Sequence, residues 1–279
     1  MKTKNFNGKA IYNPSGKAGE YSYWACNFYV GCSNGCTYCY LRKGVLAGTM
    51  GGNVPTLKKC FKDESHALEV FEKELLANLP ELQKHGLFFT FTSDPMLQAT
   101  NKLTRLAMRK CLSYDIPVKL LTKMADWVDD FLNAPDYYIS GRSDWLIDDD
   151  TIFGKIAFGF TLTGHDELEP NASTNAERIE AMHKLHDAGF KTWASIEPVI
   201  DIKSSSRMIG LTHSFCDLYK VGIESGKKYD AKDLLSFIYW TSGSNRPFYF
   251  KDSLLKAAGI SREDLPANCV GRDYNIFNS

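Results

Sequence analysis

The sequence predicts an α/β fold in which a parallel, barrel-like sheet is covered by helices. Three observations predict it. Runs that are apolar almost throughout, at 87–92, 117–122, 156–163, 191–199 and 218–223, have the character of strands buried on both faces. Between them lie segments whose apolar residues recur at helical spacing, so that roughly six strand–helix units follow one another. The chain has 279 residues, enough for one sizeable core, with no internal repeat or low-complexity linker. We therefore expect a single domain, with an irregular arm over 1–20, the barrel over 21–250, and a C-terminal helix and tail over 251–279.

Each element follows from local composition. The arm is polar and carries Pro14 and several glycines. Residues 21–29 are aromatic-rich and strand-like. The stretch 44–55 holds Gly44, Gly48, Gly51 and Gly52, too many for a helix, and is expected to be a long loop. Leu68, Phe71, Leu75 and Leu79 mark the first helix; Leu103, Leu106 and Cys111 mark the second. A short helix is expected over 125–132. An irregular insertion over 134–150 follows, and its acidic run Asp148-Asp149-Asp150 has the look of a solvated turn. Ile179, Met182 and Leu185 place a helix between 174 and 188, with Gly189 as its C-cap. Helices near 204–211, over 232–240 and over 252–258 complete the pattern, with a last short strand at 248–250.

Thirty-three basic and thirty-three acidic residues cancel, which removes any electrostatic case for non-specific binding to nucleic acid or membranes, though a local basic groove is not excluded. No apolar run reaches the length of a membrane span, and residues 1–10 lack the apolar core of a secretory signal. A cytoplasmic protein is expected, and its eight cysteines should be thiols or metal ligands there. Cys26, Cys60, Cys111, Cys216 and Cys269 are scattered singly and are expected to be core thiols, with Cys26 notable for lying just before the densest group. His183 and His186 have a metal-compatible spacing but no third ligand, so a solvated helix face is expected. Trp24, Tyr29, Trp127, Trp145, Trp193 and Trp240 are expected mostly in the core. The run Gly222-Ile223-Glu224-Ser225-Gly226 fits a glycine-opened part of a pocket and an ordinary β–α turn equally well.

The chemistry concentrates in Gly31-Cys32-Ser33-Asn34-Gly35-Cys36-Thr37-Tyr38-Cys39-Tyr40. Cys32, Cys36 and Cys39 have the spacing C-x3-C-x2-C. Three thiolates on one short loop can hold three corners of a 4Fe–4S cluster and leave one iron open to a small molecule. The glycines and small polar residues suit a loop that wraps a cluster and turns backbone N–H groups toward its sulfurs. A structural zinc site wants four ligands, commonly in two C-x2-C pairs, and no second pair exists.

This motif, with Tyr38 as the aromatic residue before the last cysteine, resembles the radical S-adenosylmethionine superfamily. The flanking runs Asn27-Phe28-Tyr29-Val30 and Cys39-Tyr40-Leu41 resemble its spore photoproduct lyase group. The resemblance implies a partial (βα)6 TIM-like barrel of parallel strands, with the iron–sulfur loop after the first strand. It also implies a 4Fe–4S cluster and S-adenosyl-L-methionine as cofactors. Parallel barrels carry their chemistry at the C-terminal ends of the strands, and polar residues stand where those ends are expected. Thr92-Ser93-Asp94 can take the amino group of the cofactor, Lys123 its carboxylate or ribose, Thr161 ribose or carboxylate. At the fifth strand, Ser195 and Glu197 can meet ribose hydroxyls. In the lyase group, tyrosines like Tyr38 and Tyr40 lie near the cofactor. Thr92-Ser93-Asp94, Thr122-Lys123 with the Val128-Asp129-Asp130 helix, Thr161 and Ile196-Glu197-Pro198 all have counterparts there. The similarity extends from about Phe28 to Asp201. It departs at Phe91, where the lyase has a hydrogen-donating cysteine, and at Glu197, where the lyase has a small residue.

The expected activity is therefore the generation of a 5′-deoxyadenosyl radical that abstracts hydrogen from a substrate: a nucleotide, a nucleic acid or a peptide, in that order of preference. An electron donor such as a flavodoxin or ferredoxin is the implied partner, and Tyr38, Tyr40 and Cys26 are near enough in sequence to return a hydrogen atom. Two alternatives stand beside it: a lyase that repairs DNA, and a zinc-stapled nucleic-acid-binding module.

Overall fold

The computed structural model describes residues 5–133 and 153–278. The run Asp148–Asp150 and the rest of the 134–150 insertion, Trp145 and residues 1–4 lie outside them. The strands are β1 (Ile11–Tyr12), β2 (Ala25–Cys26), β3 (Tyr29–Val30), β4 (Thr56–Leu57), β5 (Leu87–Phe89), β6 (Val118–Thr122), β7 (Ile156–Thr161), β8 (Lys191–Val199), β9 (Leu218–Ile223) and β10 (Phe248–Phe250). Eight of them form one sheet in the order β1-β2-β5-β6-β7-β8-β9-β10. From β2 onward every pairing in that sheet is parallel. Parallel neighbours that follow one another in sequence, each joined by a helix on the outer face, make a partial barrel with β1 and β10 as its end strands, the outer side of β10 being bridged by Cys269.

The helices close the outer face for legible reasons. Glu64–Ala77 is capped by Asp63, whose side chain accepts from the His66 amide, and it buries Ala67, Phe71 and Leu75. Asn101–Ser113 buries Leu103, Ala107, Met108 and Cys111. Asn175–Asp187 opens with a reciprocal capping box between Thr174 and Glu177. Ile202–Thr212 and Ala231–Thr241 are capped by Asp201 and Asp230, and Asp252–Ala258 ends at Gly259 in the left-handed region. Their apolar stripes pack with Leu87, Phe89, Val118, Leu120, Phe158, Phe160, Ala194, Ile196, Tyr219, Val221, Phe248 and Phe250 in the main core. The short helix after β6 is Val128–Asn133, starting three residues later than expected.

The alternate residues of the same strands face inward and form a second, smaller cluster. Ala25, Phe88, Ala157, Trp193 and Leu218 meet Tyr21, just after the arm, and Ile276 from the tail. Gly159 is required there: a Cβ at this position would lie 2.1 Å from the Trp193 ring.

Three expectations are corrected. The arm is not irregular throughout, because β1 pairs antiparallel with β2 and Gly16–Gly19 forms a helical turn. The glycine-rich stretch is not a plain loop. It contains a 3-10 turn at Gly44–Leu46, a single α turn at Ala47–Met50 and β4, which pairs with β3 outside the main sheet. The strand expected over 87–92 stops at Phe89, because from Thr90 the chain turns over the barrel rim to make hydrogen bonds with Asn27, Tyr29 and Asp94. Among the described residues no helix is long and apolar enough to cross a membrane.

Candidate functional site

The cysteine loop leaves β3 and lies at the C-terminal ends of the parallel strands. Gly31 begins it with φ +82°, and a Cβ there would meet the Val54 carbonyl at 2.6 Å. The Cys32 amide donates to Gly52 O at 3.0 Å, and the Cys39 amide to Cys36 O at 3.3 Å. Cys36 is buried, and Cys32 and Cys39 are half-buried. Burial pushes the Cys32 thiol up to about 12 and also raises Cys36, so loading with metal there releases protons. Among the described residues no three His, Cys, Asp or Glu side chains converge on a single-ion position, the three cysteines included.

Asp94, at the end of β5, joins this loop to the barrel. Its Oδ2 accepts from Asn34 Nδ2 at 2.9 Å and from the Lys123 amide at 2.8 Å. Its Oδ1 accepts from Thr122 Oγ1 at 2.6 Å and from the Met96 amide at 3.0 Å. Both oxygens of a carboxylate that is only 6% exposed are thus occupied. Asp94 therefore positions the motif. Thr92 Oγ1 likewise donates to Tyr29 O at 2.5 Å.

A second attachment comes from the loop after β7. The Thr37 amide donates to Leu168 O at 3.0 Å, and Asn171 Nδ2 to Ser33 O at 2.9 Å. The Tyr38 hydroxyl donates to Glu169. Glu169 is held from the other side by Arg178 Nη2 at 2.5 Å, and neither side chain has any exposure. Arg178 also donates to Thr161 O at 2.6 Å and Ser173 O at 2.7 Å. Lys123 Nζ lies 3.9 Å from Glu169 and 5.6 Å from the centre of the Tyr38 ring. Burial opposes the Lys123 charge, but Cys36 and Glu169 beside it outweigh burial and hold the amine above its usual value. Tyr40 crosses the rim, its hydroxyl donating to Phe91 O at 2.5 Å.

Deeper in the barrel the polar residues of β8 are joined through Tyr21 and Lys251. Thr161 and Ser195 are register partners on β7 and β8, and Ser195 continues across to Lys220 on β9. Tyr21 OH lies 2.7 Å from Ser195 Oγ and donates to Glu197 Oε2 at 2.5 Å. Lys251 forks onto Glu197 at 2.9 and 3.0 Å. A Cβ at Gly222 would sit 2.7 Å from Glu197 Cδ and 2.8 Å from Lys251 Cδ, so this glycine makes room for the pair. Lys220 Nζ donates to the carbonyls of Glu20 and Tyr21 at 3.0 and 2.9 Å. Burial, then repulsion from Lys119 and Lys251, pushes it well below the ordinary lysine value.

The structure thus gathers Tyr38, Asp94 and Lys123 at the cysteine loop and Thr161, Ser195 and Glu197 inside the barrel, with Tyr40 and Thr92 between them. Two buried polar atoms in the first group, Asn34 Oδ1 and Ser93 Oγ, have no hydrogen-bond partner among the described residues. Three cysteines on one loop, with polar atoms beside them left for an incoming group, fit a cluster held by three thiolates with a small polar ligand. Cys26 is fully buried in the helix-side core, away from the concave face. His183 is solvated and pairs with Asp187 at 3.5 Å. Glu224 joins the site by an ion pair with Lys43 at 2.8 Å.

Sequence reasoning missed Glu169, Arg178, Tyr21 and Lys251. Arg178 occupies the apolar stripe of its helix with Ala181, Met182 and Leu185, and a cation at that spacing signals a buried partner. Lys251 directly follows β10, so the strand-end rule applied to β5–β8 would have found it. Nothing local marks Tyr21.

No family model matches the chain. It is 26% identical over 212 residues, 70% of its length, to an uncharacterized protein of Methanocaldococcus jannaschii, of which it covers 68%. Among solved structures it is similar to Streptococcus suis SuiB, with a TM-score of 0.52 and 13% identity over 89% of this chain. The chain spans 52% of SuiB. A structure of spore photoproduct lyase complexed with dinucleoside spore photoproduct matches with a TM-score of 0.48 and 17% identity, over 88% of this chain and 63% of that one. The likeness to SuiB shows the fold, a partial barrel of parallel strands with helices outside.

Proposed function

We propose that the chain is a radical S-adenosylmethionine enzyme. One observation carries the reading. The loop bearing Cys32, Cys36 and Cys39 is fixed at the C-terminal ends of the parallel strands by Asn34–Asp94 from one side and Tyr38–Glu169 from the other. On this reading Cys32, Cys36 and Cys39 hold a 4Fe–4S cluster. The bound cluster and S-adenosylmethionine together supply the one-electron cleavage that yields a 5′-deoxyadenosyl radical. Lys123 pairs with the cofactor's carboxylate, while Ser93, Thr161, Ser195 and Glu197 face its amino group and ribose. Tyr38 and Tyr40 flank the third cysteine and wall the cofactor's side of the rim. The aromatic interior of Tyr21, Phe88, Phe91 and Trp193 keeps water from the barrel below.

The substrate we propose is a nucleotide or nucleic acid before a peptide, on the strength of the motif's resemblance to the lyase group. Repair of the thymine spore lesion is not part of the proposal. Phe91 has no thiol from which a hydrogen atom could be returned, and its ring is stacked on Phe88 at 4.4 Å.

The test is anaerobic reconstitution with iron and sulfide, addition of S-adenosylmethionine and dithionite, and chromatography for 5′-deoxyadenosine and methionine. Both products are expected from the wild type and neither from the Cys32→Ala/Cys36→Ala/Cys39→Ala variant. A colourless protein that takes up zinc and forms no 5′-deoxyadenosine would establish the zinc module instead.

A further inference from the structure

The Arg178 side chain has no exposure, and its donors run to three separate places. Nη1 donates to Thr161 O at the end of β7 at 2.6 Å, Nε to Ser173 O at 2.7 Å, and Nη2 to Glu169 Oε2 at 2.5 Å. Two of these contacts lead on to Lys123. The Ser173 amide donates to Lys123 O at 3.1 Å, and the other oxygen of Glu169 lies 3.9 Å from Lys123 Nζ. One guanidinium thus braces the backbone of Lys123 and faces its amine through a carboxylate.

The ammonium is nevertheless not captured. At 3.9 Å it stands outside hydrogen-bond distance of Glu169, and the described residues give its N–H groups no acceptor. The acids around it are held by other donors. Glu169 Oε1 accepts from the Tyr38 hydroxyl and Oε2 from Arg178, which fixes the carboxylate short of Lys123. Asp94 accepts from Asn34, Thr122 and the amides of Met96 and Lys123. Arg178 also balances the charge of Glu169. Lys123, with a side chain only 18% exposed, therefore keeps a positive charge that no neighbour closes on. Such a group receives a carboxylate without first breaking a buried ion pair.

We propose that Arg178 and Glu169 are positioning residues for the cofactor's carboxylate, aiming Lys123 and keeping its ammonium uncaptured. The inference rests on the radical S-adenosylmethionine reading above, and no chemical step is assigned to either residue. Tyr38 is the third member, because its hydroxyl holds Glu169 Oε1. It stands beside Cys39 in the motif, so the order of the cysteine loop reaches Lys123 through one carboxylate.

The test uses two unreactive ligands on the reconstituted holoenzyme. S-adenosylhomocysteine carries the carboxylate; 5′-methylthioadenosine keeps the nucleoside and thioether and lacks it. Binding of each is measured by anaerobic titration calorimetry, with iron content and circular dichroism as controls. Glu169→Gln/Arg178→Met replaces the ion pair by neutral residues of similar size, a change that buried pairs often tolerate. It is expected to weaken S-adenosylhomocysteine by about tenfold and to leave methylthioadenosine unchanged. Tyr38→Phe keeps the pair and releases Oε1, so Lys123 closes on Glu169 and the same selective loss follows, several-fold in size. Lys123→Ala should match the pair variant, and the triple variant should lose little more. Should the pair variant fail to fold, Tyr38→Phe decides alone. Equal loss of both ligands would make the role merely structural and overturn the inference. So would unchanged affinities, or losses that add to that of Lys123→Ala, and the enzyme reading would stand in each case. A wild type that binds neither ligand and forms no 5′-deoxyadenosine with dithionite would overturn the enzyme reading and this inference with it.

Discussion

The side-chain amide of Asn34 and the carboxylate of Asp94 meet at 2.9 Å, and through that bond the cysteine loop is tied to the end of β5. Asp94 passes the constraint on to β6 through Thr122 and the Lys123 amide. One buried carboxylate therefore sets the position of the loop relative to two strand ends.

Asp94→Ala leaves four donors without this acceptor, three of them in buried hydrogen bonds. Each orphaned group costs about 1–3 kcal/mol, so the loss in folding free energy is expected to exceed about 3 kcal/mol, with iron bound per chain falling as well. Chemical denaturation and iron analysis check both. A variant with wild-type stability and iron content would show that the loop is held by other means.

Cys32→Ala, Cys36→Ala and Cys39→Ala are each expected to abolish a full 4Fe–4S complement. Alanine at Cys26, Cys60, Cys111, Cys216 or Cys269 should leave it intact. Iron and sulfide assays with visible absorbance decide this, and a full complement in the triple variant would refute the assignment.

Arg178→Leu removes one partner of a buried ion pair and is expected to cost about 3–5 kcal/mol. Tyr38→Phe removes one hydrogen bond to the same carboxylate and should cost only about 1 kcal/mol. Equal losses in urea unfolding would mean that Glu169 does not connect the two residues as described.

His165 stands between Glu167 at 2.7 Å and Asp201 at 2.6 Å. Partial burial opposes its charge, but the two carboxylates outweigh that and raise its pKa above the ordinary histidine value. The stabilisation is thus complete below about 6.5, the unfolded-state value, and is lost as pH rises through the raised folded value. The lowered pKa of Asp201 sets the acid limit of the same window, because its contribution disappears as the carboxylate protonates. The stability gap between wild type and His165→Gln is expected to be widest between about pH 5 and 6.5 and to shrink toward pH 9. A gap that grows with pH would contradict the sign.

Gly159→Ala is expected to destabilise by about 1–3 kcal/mol through overpacking against Trp193. Trp193→Phe should recover part of that loss in the double variant. Additive losses would place the strain elsewhere.

Most of the sheet was legible because its strands announce themselves. Residues 191–199 and 218–223 are mostly buried and bounded by turn residues, so their limits match the structure. β1 was not, because it holds two residues and owes its existence to pairing with β2 rather than to its own composition, and β2 itself was placed only within the wider strand-like run 21–29. At the site the difference is again one of range. The cysteines lie within eight positions and declare a shared task by spacing alone. Tyr21 and Glu197 are 176 positions apart, and neither has a local pattern that points to the other. The glycine count of 44–55 misled, because helical turns as short as Ala47–Met50 require little propensity when the Gly51 and Gly52 backbone is packed on Leu41 O and Gly31.

The inner cluster draws on both arm and tail. Tyr21 and Ile276 fill the floor of the barrel together, Tyr23 donates to Asp273 across 250 positions, and Arg272 Nε donates to Gly19 O at 3.0 Å. During synthesis, then, every strand leaves the ribosome before the segment that seals its inner face. Phe88 and Trp193, which pack on Tyr21 and on each other, lack part of their cover until the tail around Ile276 is present. The floor beneath the site is thus closed by a segment that follows every strand in the chain.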